Sequence, residues 1–454
     1  MDDNLKEQVD LIRQVFAYAN RFKGRIFVFK IDYRVIEHPL FPVLVKDLVL
    51  LQRMGIQVVV IPGAKERIDE ILARYGVTCD VLNDVRISTA EAMPFIKMAA
   101  FDAANRVMTL LSGSNVSAVI GNWVGARSMG VLSGVDFHDA GVVDRINLEM
   151  VRKALADGLI PIFPCIGWNS VGRSYNISSD ELATVLSREL KAEKLFFVTC
   201  YDAVTAGRYE LPDNPSVAED GHLSRLTLSE AAVFLLLNGE RPKDPLLEVI
   251  RFAHRACAGG VERVHILDGR IEGAVLKEVF SNLGSGTMIY SNQYEQIRPM
   301  RNEDVSDVLR IMQPLISSGV LIPRTRQNIE ERLPEFVVYE VDGTIHACAG
   351  LHRFEEGVAE IFGVAVDGRY VRYGIGHKVV EFLISRARSL GVPRVYVLTT
   401  QTSDWFERLG FRPGELADIP REKRDAYDTT RNSRILLLDV NAHLLPRDRI
   451  PGLE

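Results

Sequence analysis

From residue 25 onward, short runs of apolar residues alternate with stretches of helical periodicity, and no other feature constrains the chain as strongly. RIFVFKI is followed by a helix through Val43 to Met54, then IQVVVIP, then a helix from Lys65 to Tyr75. Strands that are apolar along their whole length bury both faces, and strands joined through helices run parallel because a crossover is needed to return the chain to the same end of the sheet. The pattern predicts βαβ units and a doubly wound, mainly parallel sheet with helices on both faces. Further runs at residues 116–121, 159–167, 194–200 and 263–267 carry this α/β domain to about residue 288, with no internal repeat.

At 454 residues the chain is too long for one core, since domains typically hold about 100–200 residues. In GSGTMIYSNQYEQI (284–297) glycines and polar residues interrupt the pattern, which marks a domain boundary. Beyond it the spacing predicts a helix over 303–313, a hairpin of FVVYEVDG and TIHACAGLHRF turning at Asp342-Gly343, and a third strand, VAEIFGVAV. A helix over 375–390 follows, with Val379, Val380, Leu383, Ile384, Ala387 and Leu390 on one face and Gly391 at its end, and then the strand RVYVLTT. This region is α+β. Ahead of the first strand, Leu5, Val9, Ile12, Phe16 and Ala19 draw one apolar stripe along residues 4–22. That helix has two readings, a layer of the domain or an arm that docks on another subunit.

A net charge of −6 offers no global basic field, which argues against nucleic acid or an anionic membrane surface as partner. The five cysteines include no CxxC pair, so neither a disulfide framework nor a zinc cage is expected. The acidic N-terminus and the lack of any long apolar run predict a cytoplasmic protein with no membrane span.

Between VAEIFGVAV and the following helix lies DGRYVRYGIG, where Gly374 and Gly376 stand at the helix entrance. Glycines there let backbone N–H groups approach a ligand, and the helix N-terminus contributes about half a positive charge, so a pyrophosphate is held without many basic side chains. The pair alone is equally a plain turn. Its place in an ordered set (hairpin, strand ending VAV, glycine turn, amphipathic helix, strand, then WFERLGF) resembles the GNAT acetyltransferases, whose Q/R-x-x-G-x-G/A turn binds acetyl-CoA. The resemblance assigns Val371, Arg372, Gly374, Ile375 and Gly376 to the pyrophosphate turn, with Val371 at the Q/R position, and Val364 and Val366 to a strand that pairs with the pantetheine.

Acetyl transfer to an amine needs a proton acceptor and a donor for the leaving thiolate. Glu360, a carboxylate inside an apolar strand, is the candidate base; an edge-strand charge facing solvent is the alternative. The tyrosine that serves as acid in many relatives is replaced by Phe406, which leaves Ser403 or Thr402. Ser403 and Asp404 could equally cap a helix starting at Trp405, with Glu407 completing a capping box. Arg324, Arg326 and Arg431 suit an anionic acceptor, because guanidinium forks match carboxylates, although isolated arginines are usually solvated.

RIFVFKID, GIQVVVIPGAKERIDEIL, NDVRIST, YNISSDELATVL, KAEKLFFVTC and VERVHILDGRIEGAVLKEVFSNLGSGTMI follow the order seen in the amino acid kinase family. Joined to a GNAT domain, they resemble the bacterial N-acetylglutamate synthases over about residues 5–440. This implies an αβα sandwich with a mainly parallel sheet followed by an α+β GNAT domain. The expected divisions are a helix over 1–22 for oligomerisation, a kinase-like regulatory domain over 23–288, a linker over 289–296 and the acetyltransferase over 297–454. It also implies an acyltransferase making N-acetyl-L-glutamate and CoA from acetyl-CoA and L-glutamate, the first step toward arginine, with acetyl-CoA as co-substrate, no permanently bound cofactor and no metal. Carried over residue by residue, Arg324, His352, Arg431 and Ser433 bind glutamate. Tyr18, His265, Glu278 and Gly284 bind L-arginine as inhibitor, and the chains form a homo-oligomer, a hexamer. The kinase K-x-G-G turn is Lys30-Ile31-Asp32-Tyr33, its H-G-G-G turn is Ile61-Pro62-Gly63-Ala64, and Val249 takes the place of a second lysine. Lys30 and Asp180 remain, but a phosphate cradle does not, so phosphoryl transfer is not expected. The competing readings are a GNAT enzyme for a different amine and a non-catalytic arginine-binding regulator.

Overall fold

A computed structural model describes residues 15–443 apart from 17, 83, 206, 213–215, 218–220, 240, 242–243, 281–284, 292–294, 342 and 426. The chain divides into two compact units, residues 1–292 and 293–454.

The first unit is built on nine strands: β1 (Ile26–Ile31), β2 (Gln57–Pro62), β3 (Ala118–Ile120), β4 (Ile160–Ile162), β5 (Lys194–Thr199), β6 (Ser216–Val217), β7 (Leu223–Thr227), β8 (Arg263–Asp268) and β9 (Thr287–Tyr290). Their order across the sheet is β6-β7-β9-β8-β5-β1-β2-β4-β3. Every pair from β8 to β3 is parallel, and antiparallel pairing is confined to β8 with β9 and β6 with β7. Alternate residues of β1 enter opposite cores, because successive side chains point to opposite faces of a strand. Phe27, Phe29 and Ile31 join one cluster with α1 (Phe41–Arg53), α2 (Lys65–Tyr75) and α3 (Met93–Gly113), while Ile26 and Val28 join the other with α4 (Ser179–Leu190) and α5 (Pro245–Ala258). The expected αβα sandwich is therefore present. The sequence reading did not foresee a small closed barrel of residues 124–128, 140–146, 166–168 and 174–177, whose strands are short and only partly buried. A short helix, α6 (Ala274–Phe280), follows β8.

The second unit has seven strands: β10 (Glu295–Pro299), β11 (Phe336–Val341), β12 (Thr344–Arg353), β13 (Val358–Val366), β14 (Arg394–Thr399), β15 (Arg412–Pro413) and β16 (Arg434–Asp439), ordered β10-β11-β12-β13-β14-β16-β15. All neighbours are antiparallel except β13 and β14. That parallel pair is registered only from Val358–Arg394 to Glu360–Tyr396, whereas β12 follows β13 as far as Val366, with an irregularity between Cys348 and Gly350. The two strands part after Glu360. The helices are α7 (Val305–Ser317), α8 (Arg326–Glu331), α9 (Ile375–Ser389), α10 (Ser403–Arg408) and α11 (Arg421–Asp425). The stripe Val379, Val380, Leu383, Ile384 and Ala387 on α9 is buried, and Gly391 adopts φ +71° just beyond its end.

The structure bears on three expectations. β9 runs to Tyr290 and β10 begins at Glu295, so strand pairing takes up both ends of the supposed linker 289–296. The helix placed at 303–313 begins as a 3-10 turn at Asn302–Asp304 and continues to Ser317, running through Pro314 without its backbone N–H bond. Of the helix expected over 1–22, the backbone is helical at 15–16 and 18–22, and residues 1–14 and 17 lie outside the described residues. Among the described residues no helix is long and apolar enough to cross a membrane.

Gly350 lies opposite Phe362, and a Cβ placed there would fall 2.2 Å from the ring's Cζ. Gly350→Ala should therefore displace Phe362 and cost about 1–3 kcal/mol through overpacking. Calorimetry should show a melting temperature lower by several degrees; an unchanged value would mean that the ring has room to shift.

Candidate active site

Glu360 closes the last registered pair of β13 and β14, with His352 opposite on β12 and Tyr396 opposite on β14. Directly opposed residues project from the same face, so the strand register alone gathers a carboxylate, an imidazole and a phenol. The Glu360 side chain is buried and its Oε2 lies 2.8 Å from the Lys423 ammonium of α11. His352 shares a hydrogen bond between Nδ1 and Glu335 Oε1 at 2.9 Å. The Tyr396 hydroxyl is buried and, among the described residues, meets no hydrogen-bond partner.

Phe362, two residues beyond Glu360 and so on the same face, carries two cations: the Arg332 guanidinium carbon is 4.1 Å and that of Arg324 4.9 Å from its ring centroid. Burial, together with the Arg332 charge, pulls the Arg324 pKa below the ordinary arginine range, against the attraction of Glu360. Arg324, His352 and Glu360 thus lie on one face of the sheet around Phe362. Arg326 does not join them, since its guanidinium is exposed and engages Glu330 on its own helix and Ser306. Arg431 donates through Nη2 to the carbonyls of Val320 (2.5 Å) and Gly319 (3.3 Å), which ties it to the turn leading into Arg324. The Ser433 carbonyl accepts a hydrogen bond from the Tyr427 hydroxyl at 2.6 Å.

Past Glu360, β13 leaves its β14-side backbone outside the ladder, and half-buried Val364 and Val366 occupy that stretch. A 3-10 turn, Gly368–Tyr373, follows; Val371 within it is exposed, and nothing is described of the Arg372 side chain. Gly374 then takes φ +68°, where other residues are strained, and opens α9 with no side chain capping it. Ile375 and Gly376 are buried in its first turn, and a Cβ at Gly376 would stand 3.3 Å from the Trp405 ring and 3.5 Å from Val366. The first N–H groups of such a helix have no intrahelical acceptor, which makes the turn suited to an anion. The capping box weighed as the alternative role of Ser403 is absent: α10 starts at Ser403 itself, with Thr402 at the N-cap position and no side-chain cap. Thr402 instead bonds its hydroxyl to that of Thr399 (2.8 Å), because the strand end supplies a nearer partner. Ser403 is buried, as is Phe406, which packs edge-on to Trp405 and Phe411.

In the first unit, His265 on β8 stacks on Phe196 and meets Glu278 of α6 at 2.6 Å through Nδ1. The other Glu278 oxygen accepts backbone N–H bonds from Ser285 (2.6 Å) and Gly286 (3.2 Å). Burial holds the His265 pKa below the ordinary imidazole range. Burial by itself would raise Glu278, but His265 and the two backbone donors outweigh it and hold the carboxyl below its ordinary range. A neutral imidazole therefore donates from Nδ1 to a charged carboxylate. Tyr18 packs on Phe22 and Phe280 and accepts a hydrogen bond from Lys194 Nζ at 2.5 Å. Gly284 lies outside the described residues. At the former phosphate turn, Lys30 is buried between Asp180 (2.7 Å) and Asp32. Burial disfavours its charge, yet the two carboxylates lift its pKa above the ordinary lysine range. Val249 is buried on α5.

Sequence reasoning missed Lys423, Tyr396, Arg332 and Lys194. Tyr396 left a signal as a phenol between two valines in RVYVLT, and Lys194 as a lysine leading the apolar run LFFV. Lys423 left none within REKRD, where all five residues are charged.

Residues 26–268 match the amino acid kinase family and residues 306–411 the acetyltransferase (GNAT) family. Fold and site together define an acyltransferase of the GNAT class joined to an amino acid kinase fold. The amino-acid acetyltransferase of Aeromonas salmonicida is 34% identical over 93% of this chain and 96% of its own length. That of Escherichia coli K12 is 31% identical over 96% and 98%. The crystal structure of N-acetylglutamate synthase from Neisseria gonorrhoeae complexed with coenzyme A and L-arginine is 29% identical with a TM-score of 0.82, covering 95% of this chain and 99% of that one. Its complex with coenzyme A and N-acetyl-glutamate gives 30% and 0.59 over the same shares. The chain belongs to the amino-acid acetyltransferase family.

The His265–Glu278 pair makes stability depend on pH. Below about pH 6.5 an unfolded histidine gains a proton that folded His265 refuses, so the unfolded state binds more protons and stability falls as pH falls. The melting temperature should drop between pH 7.5 and 5.5, and less steeply in His265→Gln. Equal slopes in the two proteins would remove His265 as the cause.

Proposed function

We propose that this enzyme transfers the acetyl group of acetyl-CoA to the α-amine of L-glutamate, giving N-acetyl-L-glutamate and CoA, the first step toward arginine. The observation that carries this reading is the grouping of Glu360, Arg324 and His352 where β13 and β14 part, beside the Gly374–Gly376 turn. The β13 backbone freed beyond Glu360, around Val364 and Val366, pairs with the pantetheine amides. Backbone N–H groups at Gly374, Ile375 and Gly376 receive the pyrophosphate, with Val371 and Arg372 alongside. Arg324 and Arg431 meet the acceptor's carboxylates, His352 and Ser433 line the same pocket, and Glu360 takes the amine's proton so that nitrogen attacks the thioester carbon directly. As the tetrahedral intermediate collapses, the Ser403 hydroxyl donates to the departing thiolate. Acetyl-CoA is a co-substrate, and no step calls on a metal or a permanently bound cofactor.

The first unit serves as a sensor. L-Arginine binds at Tyr18, His265, Glu278 and Gly284 and lowers the acetyl-transfer rate, and Lys30, locked between two carboxylates, transfers no phosphoryl group. The N-terminal helix joins chains into a hexamer. The reaction takes place in the cytoplasm, a reading supported by the five free cysteines, Cys79, Cys165, Cys200, Cys257 and Cys348.

Thiol release from acetyl-CoA, measured with L-glutamate and then with each other amino acid, tests the substrate; a faster rate with another amine would overturn it. Glu360→Gln keeps the shape and loses proton affinity, and should lower kcat by about 10²–10⁴. A rate within about threefold of the parent would move the base elsewhere. Glu278→Gln should leave the basal rate intact and remove the response to arginine, since the carboxylate that pairs with a guanidinium is gone. Persistence of inhibition in that variant would place the arginine site elsewhere.

A further inference from the structure

Tyr396 stands in β14 between Glu360 of β13 on one side and Leu437 of β16 on the other. It is fully buried, in a cluster with Phe354, Val358, Ile419 and Ile435. The side chains of that cluster and of Leu437 offer no hydrogen-bonding atom, and among the described residues the hydroxyl meets no partner. A phenylalanine would pack the same ring without burying the oxygen, which costs stability wherever it goes unmatched. The hydroxyl therefore calls for an explanation, and it belongs to the residue directly opposite the carboxylate on which acetyl transfer turns.

Glu360 is the nearest cross-strand acceptor, but its Oε2 faces Lys423 and it takes no hydrogen bond from the phenol. What remains is a group that arrives with substrate. Burial, with the Glu360 and Glu422 charges, holds the phenol above its ordinary range against the pull of Arg332, so it keeps its proton and acts as a donor. The pair Glu360–Tyr396 is the last before β13 and β14 part, which sets the hydroxyl short of the freed stretch at Val364 and Val366. It shares instead the face on which Phe362 carries Arg324 and Arg332. An oxygen arriving on that face beside Glu360 belongs to the acceptor. In an amino acid the α-carboxylate is bonded to the carbon that bears the amine, so an amine at Glu360 brings that carboxylate to the neighbouring residue, while the side-chain carboxylate lies farther along the molecule.

We propose that the Tyr396 hydroxyl donates a hydrogen bond to the acceptor's α-carboxylate as the amine engages Glu360, and so helps to determine which amines the site accepts. The assignment rests on the reading of the acceptor as L-glutamate. Arg324 and Arg431 supply charge, whereas a single neutral donor fixes direction. The hydrogen bond forms on binding and persists through transfer, so it governs KM for the acceptor and leaves kcat nearly unchanged.

Tyr396→Phe deletes the oxygen and keeps the ring. In the full chain with acetyl-CoA saturating, the variant's KM for L-glutamate should rise about tenfold to a hundredfold, as loss of a hydrogen bond to a charged group implies. Its kcat and its KM for acetyl-CoA should stay within about threefold of the parent. Its melting temperature should equal or exceed the parent's, because an unmatched buried hydroxyl has gone. γ-Aminobutyrate, which is L-glutamate without the α-carboxylate, should compete with L-glutamate alike in parent and variant. A lower melting temperature with an unaltered KM would make the hydroxyl a structural group held by a water, and would overturn the proposal. A fall in kcat alone would also overturn it, by placing the hydroxyl on the thioester or on Glu360. So would weaker competition by γ-aminobutyrate in the variant, which would place it on the other carboxylate. A parent that acetylates another amine faster overturns the acceptor reading itself; a parent that prefers L-glutamate, beside a variant of unaltered KM, overturns only the role of Tyr396.

Discussion

The acetyltransferase unit depends on two adjacent strands that stop pairing. β13 and β14 share three registered pairs and then separate. Buried backbone N–H and C=O groups rarely go without partners, so a strand that loses its neighbour inside a sheet presents a row of groups that a ligand backbone is well suited to satisfy. That one constraint sets the position of the rest. Glu360 and Tyr396 are the last paired residues, Val364 and Val366 lie on the freed stretch, and Gly374 opens α9 just past its end.

Electrostatics around Glu360 follow from the same geometry. The carboxylate is buried, yet it faces Lys423 directly and lies within the field of Arg324. Phe362 supports Arg324 and Arg332 on one ring, and the ring has its place only because residue 350 lacks a side chain. Gly350 thus governs where the Arg324 and Arg332 guanidiniums stand. Lys423 holds the carboxylate from a five-residue helix, α11. An ammonium ion on Glu360 is the same chemical group that the proposed acceptor amine brings.

The first unit shows how a phosphate-handling turn is closed from within. Asp32 and Asp180 supply to Lys30 the negative charge that phosphate would otherwise provide, and Tyr33 follows where the kinase family has a second glycine. Beside β8, two strands from β1 in the same sheet, Glu278 is satisfied by one imidazole and two backbone N–H groups. A carboxylate held so firmly is pre-aligned, which favours recognition of a planar cation because little ordering remains to be done on binding.

Much of this protein is legible in the order of its residues. Period-two burial cannot be read from runs such as IFVFKI, but their length and the helices between them dictate a parallel sheet, and β1 proved buried along all six residues. The glycines at 374 and 376, the arginine at 324 and the carboxylate at 360 were each visible because their types are costly or unusual at those positions. Residue type and spacing treat Arg324 and Arg326 alike, and only the resemblance singled out Arg324; the packing of Phe362 brings it inward, while Glu330 on α8 draws Arg326 to the surface. Nor could it pair Glu360 with Lys423, 63 positions along, because contacts between distant segments depend on how strands register and helices dock. Local chemistry and periodicity were written in the chain itself; which charged groups face one another was decided only when the tertiary structure closed.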